Sequence, residues 1–571
     1  MYHINSIFAG GERVVVYPES FSVKPNTEAT EGLRNLFKTA AEMPAPKTLT
    51  LLKGNYVFMR KNANEREIHI SNTIATDEYS LGEQKNLRRA AIVIENVSDM
   101  EIDCSGSSFI MNGRMTHIVM KNCKNVTLKN LNIETVAPNV HKFTVLKASP
   151  FYVTFKLDSV SDYREERDGY YFYGSDYKFP FVNSVNGGWQ NGGWMITARP
   201  GNYSHTVRNG EHPFSGAASL RETSERVFSV RFITPKDYEP GQIFYFYPVE
   251  RYEVGILADS CKNIRLENVR QSFNNSLAFI AQNCDGVTLE RLDFSPPENA
   301  ENDLTSYADF LQFSMCRGNI AVRNCNFDNA GDDVCNVHGF HFKIVKAQNE
   351  KLTVKFCHPQ SYGFECLRVN DVIAFIDPKT LLEVGRTKIV KAALRDEYYY
   401  DLEISGCEVP LGVGGCIENL SACPNFEFSG NTVNRIVTRG VLATTRGRVR
   451  IENNKFLNTG MSGILISDDA SSWYESGCVQ DVAIRGNAFL NCDENAILIK
   501  PENTKYAGAV HKNILIENNL FILNNTHALN ASCTDNILMR GNVYRGRPKD
   551  GKCVVAENVN NIVTDEPSAA K

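Results

Sequence analysis

Residues 309–339 read DFLQFSMCRGNIAVRNCNFDNAGDDVCNVHG. Two apolar runs, DFLQF and IAVRNCNF, flank a turn at Cys316-Arg317-Gly318. A second polar turn, Asp328-Asn329-Ala330-Gly331, leads into DDVCNV, which repeats the character of the first run. The stretch reads as one complete coil of a parallel β-helix with carboxylates at both ends. Asp309 and Asp333 lie 24 residues apart. If one coil takes 24 residues, Asp333 sits directly above Asp309. Stacked strands are about 4.8 Å apart, so Asp309, Asp332 and Asp333 are expected to form one carboxylate cluster.

The same unit recurs on both sides of this coil. It begins at AIVIENVSDMEIDCSG (91–106) and returns as NIRLENV (263–269), GVTLERLDF (286–294) and NIAVRNCNF (319–327). Later copies are NFEFSGNTV (425–433), RVRIENNKF (448–456), DVAIRGNAF (481–489), NILIENNLF (513–521) and NILMRGNVY (536–544). From Phe426 the leading apolar residues step by 23, 33, 32 and 23. A period near 23 with loop additions near 10 is the signature of a solenoid whose coils bury one another's faces. Aligning the later copies places Asn431, Asn454, Asn487, Asn519 and Asn542 in one column. Stacked Asn side chains can hydrogen-bond along such a column, and Asn tolerates the left-handed backbone of tight turns.

Working outward gives an all-β chain, a right-handed parallel β-helix with two inserted antiparallel β-barrel or sandwich domains. Residues 1–60 are expected to cap the open end. A helix is expected around Leu33–Met43, followed by a strand over LTLLKGNYVF (49–58). The solenoid then occupies 61–135, 253–339 and 422–571. Segments 136–252 and 340–421 break the repeat, alternate with period two and fit antiparallel hairpins. Insertions into a solenoid cluster on one face, often the binding face. The aromatic run Tyr170–Tyr173, with Trp189 and Trp194, either walls a pocket or fills a barrel core.

Composition excludes several classes. A net charge of −5 leaves no basic footprint for nucleic acid. No run of 18 apolar residues exists to span a membrane. The 16 cysteines show no paired CxxC spacing, alternate with apolar residues and read as small core side chains. Unpaired thiols in that number favour a reducing compartment. The N-terminus MYHINSIFAGGERVVVYP lacks a basic region followed by an apolar one. The expectation is a cytoplasmic protein, or a secreted or periplasmic one whose signal has been removed. No phosphate-cradling Gly loop and no His/Cys ligand spacing is present, so neither metal nor organic cofactor is expected.

Stacked carboxylates suit acetal hydrolysis, which needs an acid on the leaving oxygen and a base or nucleophile at the anomeric carbon. Mutual repulsion pushes their pKa values apart. Asp is also common in turns, so spacing alone suits a capped turn as well. GDDVCNVHG, preceded one coil earlier by ADFLQFSMCRG, resembles the signature of glycoside hydrolase family 110. TRG (445–447), IENN (451–454) and WYESG (473–477) are similar to the same family, so the matches cover roughly 250–490 in order. Those enzymes are bacterial exo-acting α-1,3-galactosidases built on a β-helix with inserted barrels. The resemblance implies that Asp309, Asp332 and Asp333 are catalytic and that the mechanism inverts. Asp309 would be the general acid, and Asp332 or Asp333, or both, would hold the water. It implies a substrate with a terminal α-linked galactose, as on blood-group-B-type glycans. Gln312 stands where the family's D-x-x-H-F strand carries His, and Phe340 where Thr is usual, which leaves open a related sugar such as an α-N-acetylgalactosaminide.

Gln312, Asn336, His338, Arg439, Trp473 and Glu475 are the substrate-binding candidates. Trp473 would stack on the sugar's apolar face and Glu475 would accept from its hydroxyls. Arg446 aligns with Arg317 in a turn column and reads as turn structure. The rival readings are a non-catalytic glycan-binding β-helix and a β-eliminating lyase. The first would not need three carboxylates one coil apart. The second usually wants Ca²⁺ or a basic residue beside the acids, and none lies in DDVCNV.

Overall fold

The computed structural model describes residues 13–73, 86–174, 177–183, 195–199, 202–209, 212–248, 251–406 and 409–565. A parallel β-helix runs from the N-terminal strands to Val563. In its first sheet, Thr116–Lys121 stacks on Ile256–Asp259, then Phe279–Gln282, Leu311–Ser314 and the start of Cys335–Gln348. Val441–Ala443, Ile464–Ile466 and Asn495–Ile499 continue it. Leu311 pairs with Cys335, and the Phe310 N–H donates to the Asp333 carbonyl at 3.0 Å. The 24-residue coil therefore exists, with Asp333 stacked on Asp309.

Each coil holds three strands, one more than the sequence reading gave. IAVRNCNF is split between Arg317–Arg323 and Asn326–Ala330. The break is at Asn324, whose φ of 55° turns the chain out of the strand. LTLLKGNYVF divides likewise, into Lys47–Thr50 and Asn55–Met59, which pair with successive parts of Ser98–Asn112. The pattern of apolar residues runs through these corners because their flanking side chains still point inward.

The helix spans Thr30–Glu42 and presents Leu33, Leu36, Phe37 and Ala40 at positions i, i+3, i+4 and i+7. All four are buried in the same core as Leu49, Ile92 and Ile102, so the helix covers the open end of the first coils. No helix among the described residues is long and apolar enough to cross a membrane.

The Asn column forms one continuous hydrogen-bonded ladder. The Asn431 N–H and Nδ2 donate to Asn454 Oδ1 at 2.8 and 3.1 Å, and the pattern repeats through Asn487 and Asn519 to Asn542. The reason given for Asn needs correcting. The left-handed residues are the ones just before the ladder, Gly430, Asn453, Gly486, Asn518 and Gly541. The ladder residues turn inward and satisfy the backbone N–H groups of the corner. In earlier coils sulfur caps corners: the Leu292 N–H points at Cys325 Sγ, and at another corner the Cys123 and Cys261 N–H groups point at Cys261 and Cys284 Sγ. Of the described cysteines only Cys357 and Cys423 are not fully buried.

The stacked coils pass the insertions without a register break. Lys124–Thr135 stacks on Lys262–Gln271, and Arg317–Arg323 stacks on Asn425–Ser429. The first insertion is a seven-stranded antiparallel sheet within 141–246 beside a three-stranded one. Tyr170 and Phe172 are buried there with Phe143, Phe155 and Phe228, so this aromatic run fills a core. Trp189 and Trp194 lie outside the described residues. In the second insertion Cys335–Gln348 runs on from the coil and pairs with Lys351–Lys355 and Cys416–Asn419. Tyr399–Ile404, Glu383–Leu394 and Val372–Ile376 complete a closed six-stranded barrel.

Arg446 and Arg317 are not simple turn residues. Arg446 pairs with Glu418 and Glu383 of the barrel at 2.7 and 3.1 Å, and Arg317 with Asp371 at 2.8 Å. Both tie the barrel to the solenoid corner.

Asn487→Ala should destabilise the protein by about 2–4 kcal/mol in urea unfolding, because it orphans the buried Asn454 N–H and removes the side-chain donor to the Ile451 carbonyl. A loss below about 0.5 kcal/mol, the size of an ordinary surface change, would show that the ladder contributes nothing.

Candidate active site

The outer face of the first sheet carries a cavity of about 540 Å³ lined by Asp309, Asp332 and Asp333. Stacking brings Asp309 under Asp333. Gly331 sets the turn that delivers Asp332 beside them: a Cβ there would meet the Tyr307 carbonyl oxygen at 2.6 Å. The next coil continues the rows, placing Thr438 and Arg439 over Asp332 and Asp333, since Cys335 pairs with Val441.

The three carboxyls are held differently. Asp309 is 2% exposed and accepts from Asn72 Nδ2 at 3.3 Å, with Arg251 Nη1 at 3.8 Å. Burial pushes its carboxyl well above the usual range, Asp332 adds to this, and Arg251 opposes it. Burial, with one cation only at 3.8 Å, thus favours the protonated form of Asp309. Asp332 accepts from Arg251 Nη2 at 2.5 Å and from Thr438 Oγ1 at 3.3 Å. Asp333 accepts from Thr438 Oγ1 at 2.6 Å, the Arg439 N–H at 3.1 Å and Arg439 Nη1 at 3.0 Å. Asp333 in turn pushes the Arg439 guanidinium up, and Asp332 holds Arg251 up against the opposing effect of burial. Two cations thus face the Asp332/Asp333 pair, whereas only one, at longer range, faces Asp309.

Glu475 and Trp473 come from a loop that folds back onto the site. Phe340 pairs with Glu475 and Gly339 with Ser476 in antiparallel register. Glu475 accepts from Asn336 Nδ2 at 3.2 Å, and burial raises its carboxyl. The Asp469 carboxylate accepts from the N–H groups of Ser471, Ser472 and Trp473, fixing the loop. Trp473 is 44% exposed and stacks on His358 of the barrel at 4.4 Å. Asn336, Arg439, Trp473 and Glu475 all line the cavity.

Two candidates do not. Gln312 and His338 are buried behind the cavity wall, their Nε2 atoms 2.6 Å apart. The segment around Ser71 covers their part of the row: the Ser71 N–H donates to Gln282 Oε1 and its hydroxyl to Ser314 Oγ. His338 Nδ1 lies 2.9 Å from the Gly339 carbonyl oxygen, and its Nε2 stands 3.5 Å from Glu475. It backs Glu475 and does not face the cavity.

Sequence reasoning missed Arg251, Asn72 and Thr438. Arg251 follows the first insertion and Asn72 precedes the second coil, so no local motif marks them. Thr438 and Arg439 were within reach, because aligning NIAVRNCNF with NFEFSGNTV gives the 106-residue offset that puts them over Asp332 and Asp333. No basic residue lies within DDVCNV, but the fold brings Arg251 and Arg439 beside the acids from elsewhere. Both are held charged by carboxylates, so neither can accept a proton. The site can donate a proton from one carboxyl and accept one at a neighbouring pair, about one strand spacing away.

Residues 351–410 match the family model described as GLAA-B beta-barrel domain II, and residues 416–567 match the right handed beta helix region. The chain is 30% identical over 572 residues to the alpha-1,3-galactosidase A of Bacteroides thetaiotaomicron, covering 98% of this chain and 97% of that one. It is 31% identical over 522 residues to the alpha-1,3-galactosidase A of Bacteroides fragilis, covering 87% and 81%. Against the alpha-1,3-galactosidase B of B. thetaiotaomicron it is 28% identical over 549 residues, covering 91% and 84%. Likeness on this scale spans the coils, both insertions and the carboxylate coil alike, and the chain belongs to the alpha-1,3-galactosidase family, glycoside hydrolase family 110.

Proposed function

We propose that the protein is an exo-acting glycoside hydrolase that removes a terminal α-1,3-linked galactose from glycans, including those of blood group B type, with inversion. The observation that carries this reading is the buried Asp309 stacked one coil from two carboxyls that are each held by an arginine, with burial favouring its protonated form. Asp309 gives its proton to the glycosidic oxygen as the bond to the anomeric carbon breaks. A water attacks that carbon from the opposite face and loses its proton to the Asp332/Asp333 pair. The new carbon–oxygen bond forms with β configuration, and the aglycone leaves as an alcohol.

Inversion is what the family resemblance implies. Asp309 is anchored by Asn72 and Asp333 by Thr438 and Arg439, so the two carboxyls have different partners. Inverting pairs stand about 6.5–9.5 Å apart, against about 5–5.5 Å for retaining ones. The lyase alternative has no base, because both arginines are tied to acids. A glycan-binding module would have no use for a buried carboxyl stacked on two carboxyls that are each held by an arginine.

Asp309→Asn, Asp332→Asn and Asp333→Asn should each lower kcat by at least about 10² on an α-1,3-galactoside, with the fold unchanged by circular dichroism. Proton NMR of the first-formed sugar should show β-galactose. α-Galactose appearing first would overturn inversion, full activity in Asp309→Asn would remove the acid, and release of N-acetylgalactosamine in preference to galactose would overturn the assigned sugar.

The kcat–pH profile should be bell-shaped. Its alkaline limb belongs to Asp309, which must stay protonated and stops working as pH rises through its raised pKa. Its acid limb belongs to the Asp332/Asp333 pair, which must stay ionised. Removing the positive charge of Arg251 raises the pKa of both neighbours, so Arg251→Met should move both limbs to higher pH and lower the maximum. A downward shift of the alkaline limb would contradict this assignment.

A further inference from the structure

The outward row that carries Asn336 continues beyond the carboxylates. It runs Asn336, Leu442, Leu465, one residue per coil. The adjacent row runs Asp332, Thr438, Met461, with the Met461 N–H donating to the Thr438 carbonyl at 2.9 Å. Leu442, Leu465 and Met461 line the same cavity as the acids. Its floor is therefore polar at Asp309 and at Asn336 one coil on, and aliphatic at the second and third coils, about 10 and 14 Å from Asp309.

The fold does not demand an aliphatic side chain at these positions. The core is filled by the alternate residues, Val441 and Ala443 on one coil and Ile464 and Ile466 on the next, all fully buried. Leu465 and Met461 are only partly buried. Two coils beyond Leu465 the same row carries Asn530, paired with Leu498. The row thus accepts a polar residue as well as an aliphatic one, and what sets Leu442 and Leu465 apart from Leu498 is that they line the cavity.

The two ends of the cavity suit different ligands. Arg251, Asp333, Arg439 and Glu475 converge at the acid end, where a terminal galactose has hydroxyls to satisfy on every side. At the other end Ser467, Asp469 and Glu502 also line the cavity, and the aliphatic side chains between them and the acids match the C–H face of a sugar ring. We infer that Leu442, Leu465 and Met461 form the leaving-group subsite, a shelf that takes the apolar face of the second sugar and lays an oligosaccharide along the solenoid axis. This rests on the galactosidase reading above.

The test is Leu465→Asn, with wild type alongside. Inhibition by free galactose reports the galactose subsite alone, and steady-state kinetics on an α-1,3-galactosyl trisaccharide report both. The variant should raise KM for the trisaccharide about tenfold, in the range one or two lost apolar contacts produce. Inhibition by galactose should stay within about twofold. Met461→Gln, on the neighbouring row, should give the same split and guards against a folding defect in the first variant. Equal loss of galactose binding and trisaccharide turnover would place the shelf under galactose itself and overturn the inference. Unchanged trisaccharide kinetics in both variants would do the same. A wild-type enzyme that cleaves no α-1,3-galactoside would instead overturn the proposed function.

Discussion

In-register parallel stacking is the constraint on which the rest of this structure depends. A coil can satisfy its backbone only by pairing with the coils above and below, so each residue finds its counterpart about 4.8 Å away. Rows that face inward must be apolar, or must be ladders that satisfy one another, as the Asn column does from Asn431 to Asn542. Rows that face outward are free to carry chemistry, and what stands on them is brought together whatever its separation in sequence. Asp309, Asp333 and Arg439 are neighbours because they occupy one row.

That proximity creates an electrostatic problem whose solution gives the site its asymmetry. Asp309, Asp332, Asp333 and Glu475 surround one cavity, and ionised carboxylates so close together repel one another. Arg251 and Arg439 offset part of the charge, and they are distributed unevenly. Asp332 and Asp333 each have a guanidinium within hydrogen-bonding distance, whereas Asp309 has one only at 3.8 Å. The carboxyl with the weakest compensation is the one whose burial favours a proton. Where the arginines sit thus distinguishes carboxyls of the same chemical type.

The insertions convert an open sheet face into a cavity. Closing the second one into a barrel removes exposed strand edges, and the corner arginines Arg317 and Arg446 hold it against the solenoid through Asp371, Glu383 and Glu418. The barrel then supplies His358, on which Trp473 stacks. After the first insertion the chain rejoins the solenoid through Arg251, which reaches back over the carboxylates. The shelf of Leu442, Leu465 and Met461 shares the cavity with both walls.

The sequence by itself determined the solenoid, the coil length at the acids, the Asn column and the three carboxylates. These are properties of a repeat, and a repeat with a fixed period specifies which residues stack. It also carried, unread, the offset that puts Thr438 and Arg439 over Asp332 and Asp333. The corners inside IAVRNCNF and LTLLKGNYVF were hidden because inward-facing residues keep their apolar character around a bend. Only the tertiary structure decided that Gln312 and His338 are covered, since the segment around Ser71 that covers them lies more than 200 residues away. Only it brought in Asn72 and Arg251, which lie outside the coil that carries the acids and belong to no motif. Which carboxyl holds the proton was likewise beyond the sequence, because it depends on burial and on the distances to two arginines that only the folded chain sets.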